Sequence, residues 1–111
     1  MDKGNLVENS VSSLVDALAQ RLITKQWMAA TAESCTGGGI AAALTDLAGS
    51  SAWFEAGYIT YSNRQKTAQL GVQVALFEQV GAVSREVVEA MVRGACQHSG
   101  ARYGVAVSGI A

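Results

Sequence analysis

No proline occurs in the 111 residues, where an average domain of this length would have about five. Histidine is nearly absent too, with His98 the single one. A structural zinc site is therefore almost excluded, and any catalytic pair or triad built on an imidazole must use His98. The two cysteines, Cys35 and Cys96, stand far apart without metal-ligand spacing, so a reduced chain without metal or cofactor is expected. There is no basic field either. The net charge is -1, the pI is near 5.7 and the eight Lys and Arg residues are scattered, which argues against a nucleic-acid partner. No apolar run reaches the roughly 18 residues that would span a bilayer. Met1-Asp2-Lys3-Gly4-Asn5 lacks the features of a secretory leader, so a cytoplasmic protein without a membrane partner is expected.

What is present is a hydrophobic half of the chain, with 15% charged residues and twelve glycines, a composition that excludes disorder. The length fits one domain over residues 1–111. Leu6, Val7, Val11, Leu14, Val15, Leu18, Leu22 and Ile23 recur at helical steps and predict an amphipathic helix from about Asn5 to Lys25. Trp27 to Ala32 reads as a buried strand, and the polar, glycine-rich turn Glu33 to Gly39 follows it. Ile40 to Leu47 has helix formers and is expected to stop at Gly49. Gly57 to Ser62 is β-branched and aromatic, hence a strand, with Trp53 and Phe54 plugging the core before it. Ser62 or Asn63 caps a helix through Leu70, Val74 to Val80 forms a shorter one, and Ser84 opens another from Arg85 to about His98. Gly104 to Val107 is a final buried strand, and Ser108 to Ala111 a loop. Strands alternating with helices predict an α/β fold, three-layered α/β/α, around a central, mostly buried sheet. The halt after a buried strand, with no closing helix, is what such a domain lacking its last elements would show.

The strand-loop-helix from Ala30 to Leu44 carries the most chemistry. A glycine-rich loop entering a helix leaves backbone N–H groups free for a phosphate or an oxyanion, and it is equally a structural turn that brings helix and strand close. It has neither Walker A nor dinucleotide-fold spacing. Ser34, Cys35 and Thr36 are rival nucleophiles or ligands. Each has a plainer role: Ser34 or Thr36 as helix N-cap, Cys35 as a small core residue. His98, at a helix end, reads as a solvated residue favouring the helix dipole. A serine without histidine needs another base, and a desolvated lysine can serve. Of three lysines, Lys3 and Lys25 read as solvent-facing, while Lys66 lies a turn into the helix after Tyr61. By themselves Tyr61 and Lys66 read as a surface aromatic and a solvated charge.

The string Thr31-Ala32-Glu33-Ser34-Cys35-Thr36-Gly37-Gly38 is followed by Asp46-Leu47-Ala48-Gly49-Ser50-Ser51-Ala52-Trp53-Phe54. Gly57-Tyr58-Ile59-Thr60-Tyr61-Ser62-Asn63-x-x-Lys66, Leu70-Gly71-Val72, Gly81-Ala82-Val83-Ser84 and Val107-Ser108-Gly109-Ile110-Ala111 continue the pattern. In these blocks the sequence resembles the CinA C-terminal domain family. The resemblance implies an amidohydrolase that converts nicotinamide mononucleotide to nicotinic acid mononucleotide and ammonia in pyridine-nucleotide recycling. It implies Ser34 as nucleophile, Lys66 as general base and Tyr61 as assisting hydroxyl, with backbone N–H groups from Cys35, Thr36, Gly37 and Gly38 holding the oxyanion. The Gly37-Gly38-Gly39 helix start, the Ser108-Gly109 loop and Arg64 are candidates for the substrate phosphate. Family members continue beyond this point with further strands and a closing helix. The alternative is a non-catalytic interaction or oligomerisation domain, linked by the family name to competence and DNA damage. A third is a phosphate-binding domain without hydrolysis. Exposed apolar helix faces make a homodimer or higher homo-oligomer the expected assembly.

Overall fold

The run Ala29-Ala30-Thr31-Ala32-Glu33 becomes the central strand of a parallel sheet, because its small side chains let helices close over both faces. In the computed structural model, which describes residues 3–110, the elements follow as α1 (Lys3–Lys25), β1 (Ala29–Glu33), α2 (Gly39–Thr45) and β2 (Phe54–Ile59). They continue with α3 (Asn63–Leu70), α4 (Val74–Val80), α5 (Arg85–Ser99) and β3 (Tyr103–Val107). The burial expected of Leu6 and Val7, the solvent-facing position of Lys3 and the loop position of Ala111 lie outside the described residues.

The sheet order is β2-β1-β3, and both pairings are parallel. Side chains alternate across β1. Ala30 and Ala32 pack with Leu70, Val72, Val87, Met91 and Ala95 on the face covered by α3 and α5. Ala29 packs with Val15, Ala19, Leu22, Leu44 and Trp53 on the face covered by α1 and α2. This is the three-layer α/β/α arrangement. Burial is complete only at β1: β3 is half-buried throughout, and β2 alternates half-buried with exposed positions. Two glycines let the α5 layer come close. A Cβ at Gly94 would collide with the Leu70 carbonyl oxygen, and one at Gly104 would press on Val92 and Cys96. Because β2 and β3 flank β1 on opposite sides, the chain reverses direction across the sheet at β1. In open α/β sheets that reversal opens a crevice beyond the carboxyl ends of the strands.

Several boundaries differ from the sequence reading. The first strand starts at Ala29, because α1 ends through Gln26 at φ 58 and the Trp27 N–H donates to the Leu22 carbonyl at 3.0 Å. Trp27 instead lies between Lys25 and Arg102, each cation 4.9 Å from its ring. The second strand lies three residues earlier than expected, since Phe54 pairs with Ala29 and Ile59 with Glu33. Trp53 is buried as expected, whereas Phe54 is already the first residue of β2. Gly49 does not stop α2, which ends at Asp46; it leads into a short 3-10 turn over Ser50–Ala52. Along α1, Val15 and Leu22 are buried, while Val11, Leu14 and Ile23 stay exposed. The helices over 63–70, 74–80 and 85–99 match their local signals, with Ser62 and Ser84 accepting from Gln65 and Val87 N–H groups. Among the described residues no helix is long and apolar enough to cross a membrane.

Candidate functional site

At the carboxyl ends of the strands the backbone is stitched tightly. The Thr60 N–H donates to the Glu33 carbonyl at 2.8 Å, and the Ser34 N–H donates to the Val107 carbonyl at 3.2 Å. Ser34 thereby sits between the ends of all three strands, 4% exposed. Its Oγ donates to the Tyr61 carbonyl at 3.2 Å. Lys66, one turn into α3, donates from Nζ to that same carbonyl at 3.2 Å and to Asn63 Oδ1 at 3.4 Å. Ser34 and Lys66 thus converge on one oxygen. Lys66 is 2% exposed, so it is no solvated charge. Burial pulls its pKa below the ordinary lysine value, against a smaller upward pull that negative charge on the neighbouring Cys35 sulfur would exert.

Tyr61 divides. Its side chain is exposed, as a surface aromatic would be, and its hydroxyl makes no hydrogen bond among the described residues. Its main-chain carbonyl is what reaches Ser34 and Lys66. Cys35 is half-buried and unpaired with Cys96, whose thiol burial pushes upward in pKa. The Ser108-Gly109 loop closes over this turn: a Cβ at Gly109 would stand 3.1 Å from Cys35 Sγ, and Ser108 Oγ donates to the Ala82 carbonyl at 3.2 Å. His98 ends up exposed in the last turn of α5, which leads into the start of β3. That places it at the amino ends of the strands, across the sheet from Ser34. Arg64 lines a cavity of about 430 Å³ with Thr67, Val74 and Phe77 on the outer side of α3. Among the described residues no three His, Cys, Asp or Glu side chains gather where a metal would sit.

The sequence reading assigned no role to Glu33. It is the last residue of β1, fully buried, and its carboxylate turns onto the start of α2. Oε1 accepts from Thr36 Oγ1 at 2.6 Å and from the Ile40 N–H at 2.8 Å; Oε2 accepts from the Ala41 N–H at 2.9 Å. Burial raises its pKa, but the Thr36 hydroxyl and the Ala41, Ile40 and Gly38 N–H groups together outweigh it and hold the carboxyl below its ordinary value. Gly38, at φ 106, is the N-cap of α2, so neither Ser34 nor Thr36 caps it. The Gly37 and Gly39 N–H groups donate to the Ser34 and Thr36 carbonyls, each at 3.1 Å. The anion at the glycine-rich helix start is therefore the chain's own carboxylate. An acid immediately before the serine, three residues ahead of a threonine, was the available signal for it.

A parallel α/β sheet that presents a buried serine and a buried lysine beyond its strand ends defines the architecture. The chain belongs to the CinA C-terminal domain family, which residues 11–111 match. It is 64% identical over 101 residues to the nicotinamide-nucleotide amidohydrolase PncC of Pseudomonas putida, covering 91% of this chain and 63% of that protein. To a CinA-like protein of Colwellia psychrerythraea it is 50% identical, covering 95% of this chain and 24% of the relative. Among solved structures, the competence/damage inducible protein CihA of Agrobacterium tumefaciens superposes with a TM-score of 0.87 at 43% identity, over 90% of this chain and 61% of that one. The chain spans slightly under two thirds of the amidohydrolase relative's length.

Proposed function

We propose that the chain carries the reacting serine and lysine of a nicotinamide-nucleotide amidohydrolase, which hydrolyses nicotinamide mononucleotide to nicotinic acid mononucleotide and ammonia. The observation that carries this reading is the convergence of buried Ser34 and Lys66 on the Tyr61 carbonyl. Similarity to the Pseudomonas putida enzyme supports the substrate. Burial favours the neutral amine of Lys66. Once the Ser34 hydroxyl turns from the Tyr61 carbonyl, Lys66 takes its proton and Oγ attacks the carboxamide carbon. The Cys35 and Thr36 N–H groups, which donate to no backbone carbonyl among the described residues, receive the oxyanion; those of Gly37 and Gly38 are already committed to the Ser34 carbonyl and the Glu33 carboxylate. Lys66 returns the proton to the departing ammonia. A water then attacks the acyl-enzyme, giving its proton to Lys66, which passes it to Ser34 Oγ as the acyl C–O bond breaks, so that the acid leaves and both residues return to their starting state. The exposed Tyr61 phenol is the proposed assisting hydroxyl, reaching the substrate from the mouth of the site. No metal or cofactor takes part. With Glu33 filling the start of α2, the Ser108-Gly109 loop and Arg64 remain for the substrate phosphate. The setting we propose is a cytoplasmic homo-oligomer acting on a small nucleotide.

A second reading is a non-catalytic domain of a larger protein, favoured by the CinA-like relative of which this chain covers 24%. Ammonia release from nicotinamide mononucleotide separates the two. Turnover that disappears in Ser34→Ala, with the circular dichroism spectrum kept, supports the enzyme; full turnover by that variant excludes Ser34 as nucleophile.

A further inference from the structure

Among the described residues two charged side chains are buried, Lys66 and Glu33. Enclosing a carboxylate is costly unless it is well paired, so its retention beside the serine calls for a role. Glu33 grips the turn at both ends. Its carbonyl is tied to β2 by the Thr60 N–H, and its carboxylate is tied to Thr36, Ile40 and Ala41. Ser34 is the next residue, so the strand that Glu33 ends and the helix that it caps together set where the serine stands. A plain helix cap would add stability and leave the reactivity of Ser34 alone.

We propose that Glu33 is a positioning residue for Ser34: its carboxylate closes the start of α2 to substrate anions and holds the Ser34–Gly38 turn so that the hydroxyl stays beside Lys66. This role rests on the amidohydrolase reading, and Glu33 touches no reacting atom. In Glu33→Gln one acceptor oxygen becomes a donor facing an N–H group, and the grip fails. The expected result is a kcat for ammonia release lower by roughly 100-fold, the scale of a misplaced reacting group, with KM for nicotinamide mononucleotide unchanged. Labelling of Ser34 by a fluorophosphonate probe, mapped by mass spectrometry, slows in parallel. In Glu33→Ala, formate should restore part of the rate by reoccupying the start of α2. Should Glu33→Gln fail to fold, Thr36→Val removes one of the three ties and is expected to lower kcat and labelling by a smaller factor. Wild-type kcat and labelling in a folded Glu33→Gln or Thr36→Val protein overturns the proposal. So does a raised KM at unchanged kcat, which would put Glu33 against the substrate. If the wild-type chain releases no ammonia, the amidohydrolase reading fails and the labelling comparison alone judges Glu33.

Discussion

Lys66 and Glu33 answer burial in opposite ways, and their pH responses follow. Lys66 has a folded pKa below its ordinary 10.5, so the unfolded chain binds the proton more tightly. It therefore costs stability below its folded pKa, and the cost fades as pH rises toward 10.5. Lys66→Met should raise the melting temperature at neutral pH and lose that advantage at alkaline pH. The same variant should abolish turnover, and in the wild type the rate should climb with pH through the lysine's lowered pKa. A pH-rate profile unchanged by the substitution would remove Lys66 as the base. Glu33 has a folded pKa below its ordinary 4.5, so its contribution is complete above that value and disappears as pH falls through the folded pKa. Glu33→Ala, which leaves two N–H groups and a hydroxyl without their acceptor, should cost about 2–4 kcal/mol in urea unfolding at pH 7, and less in acid. Thr60 is wholly buried and its Oγ1 has no partner among the described residues. Thr60→Val should therefore be neutral or stabilising by about 1 kcal/mol, read as a higher urea midpoint at unchanged slope.

At the scale of elements, the α5 layer depends on a missing side chain. Gly94 faces the last carbonyl of α3, and a methyl there would force α5 away from the end of α3. Gly94→Ala should destabilise by about 3 kcal/mol despite the better helix propensity of alanine, measured as a lowered melting temperature. The helices over 63–70, 74–80 and 85–99 were readable because their stops and starts are local. Ser62 and Ser84 accept the capping N–H groups three residues on, and Gly71 and Gly100 take left-handed conformations at the ends. The starts of β1 and β2 were not readable, since partners distant in sequence set them. Trp27 is apolar enough for a strand, yet the exit geometry of α1 places it outside the sheet.

For the whole molecule, burial is concentrated in one strand. Every residue of β1 is enclosed between two helical layers, while β2 and β3 are open along their outer edges among the described residues. Hydrogen exchange should find the amides of β1 opening only with global unfolding and those of α1 around Leu14 exchanging much sooner. The α/β class, the alternation of helices with strands and the serine loop at a strand end followed from hydrophobic periodicity and glycine placement alone, because those signals act within a few residues. Nothing local distinguishes Lys66 from a solvated lysine or gives Glu33 a partner. The parallel register carries Tyr61 to the end of β1, and the packing of α3 and α5 encloses the amine beside it. Desolvation and shared hydrogen-bond acceptors arise only when distant segments meet. For that reason the sequence determined the elements and the serine turn, while tertiary structure decided which charges meet the serine and which anion fills the helix start.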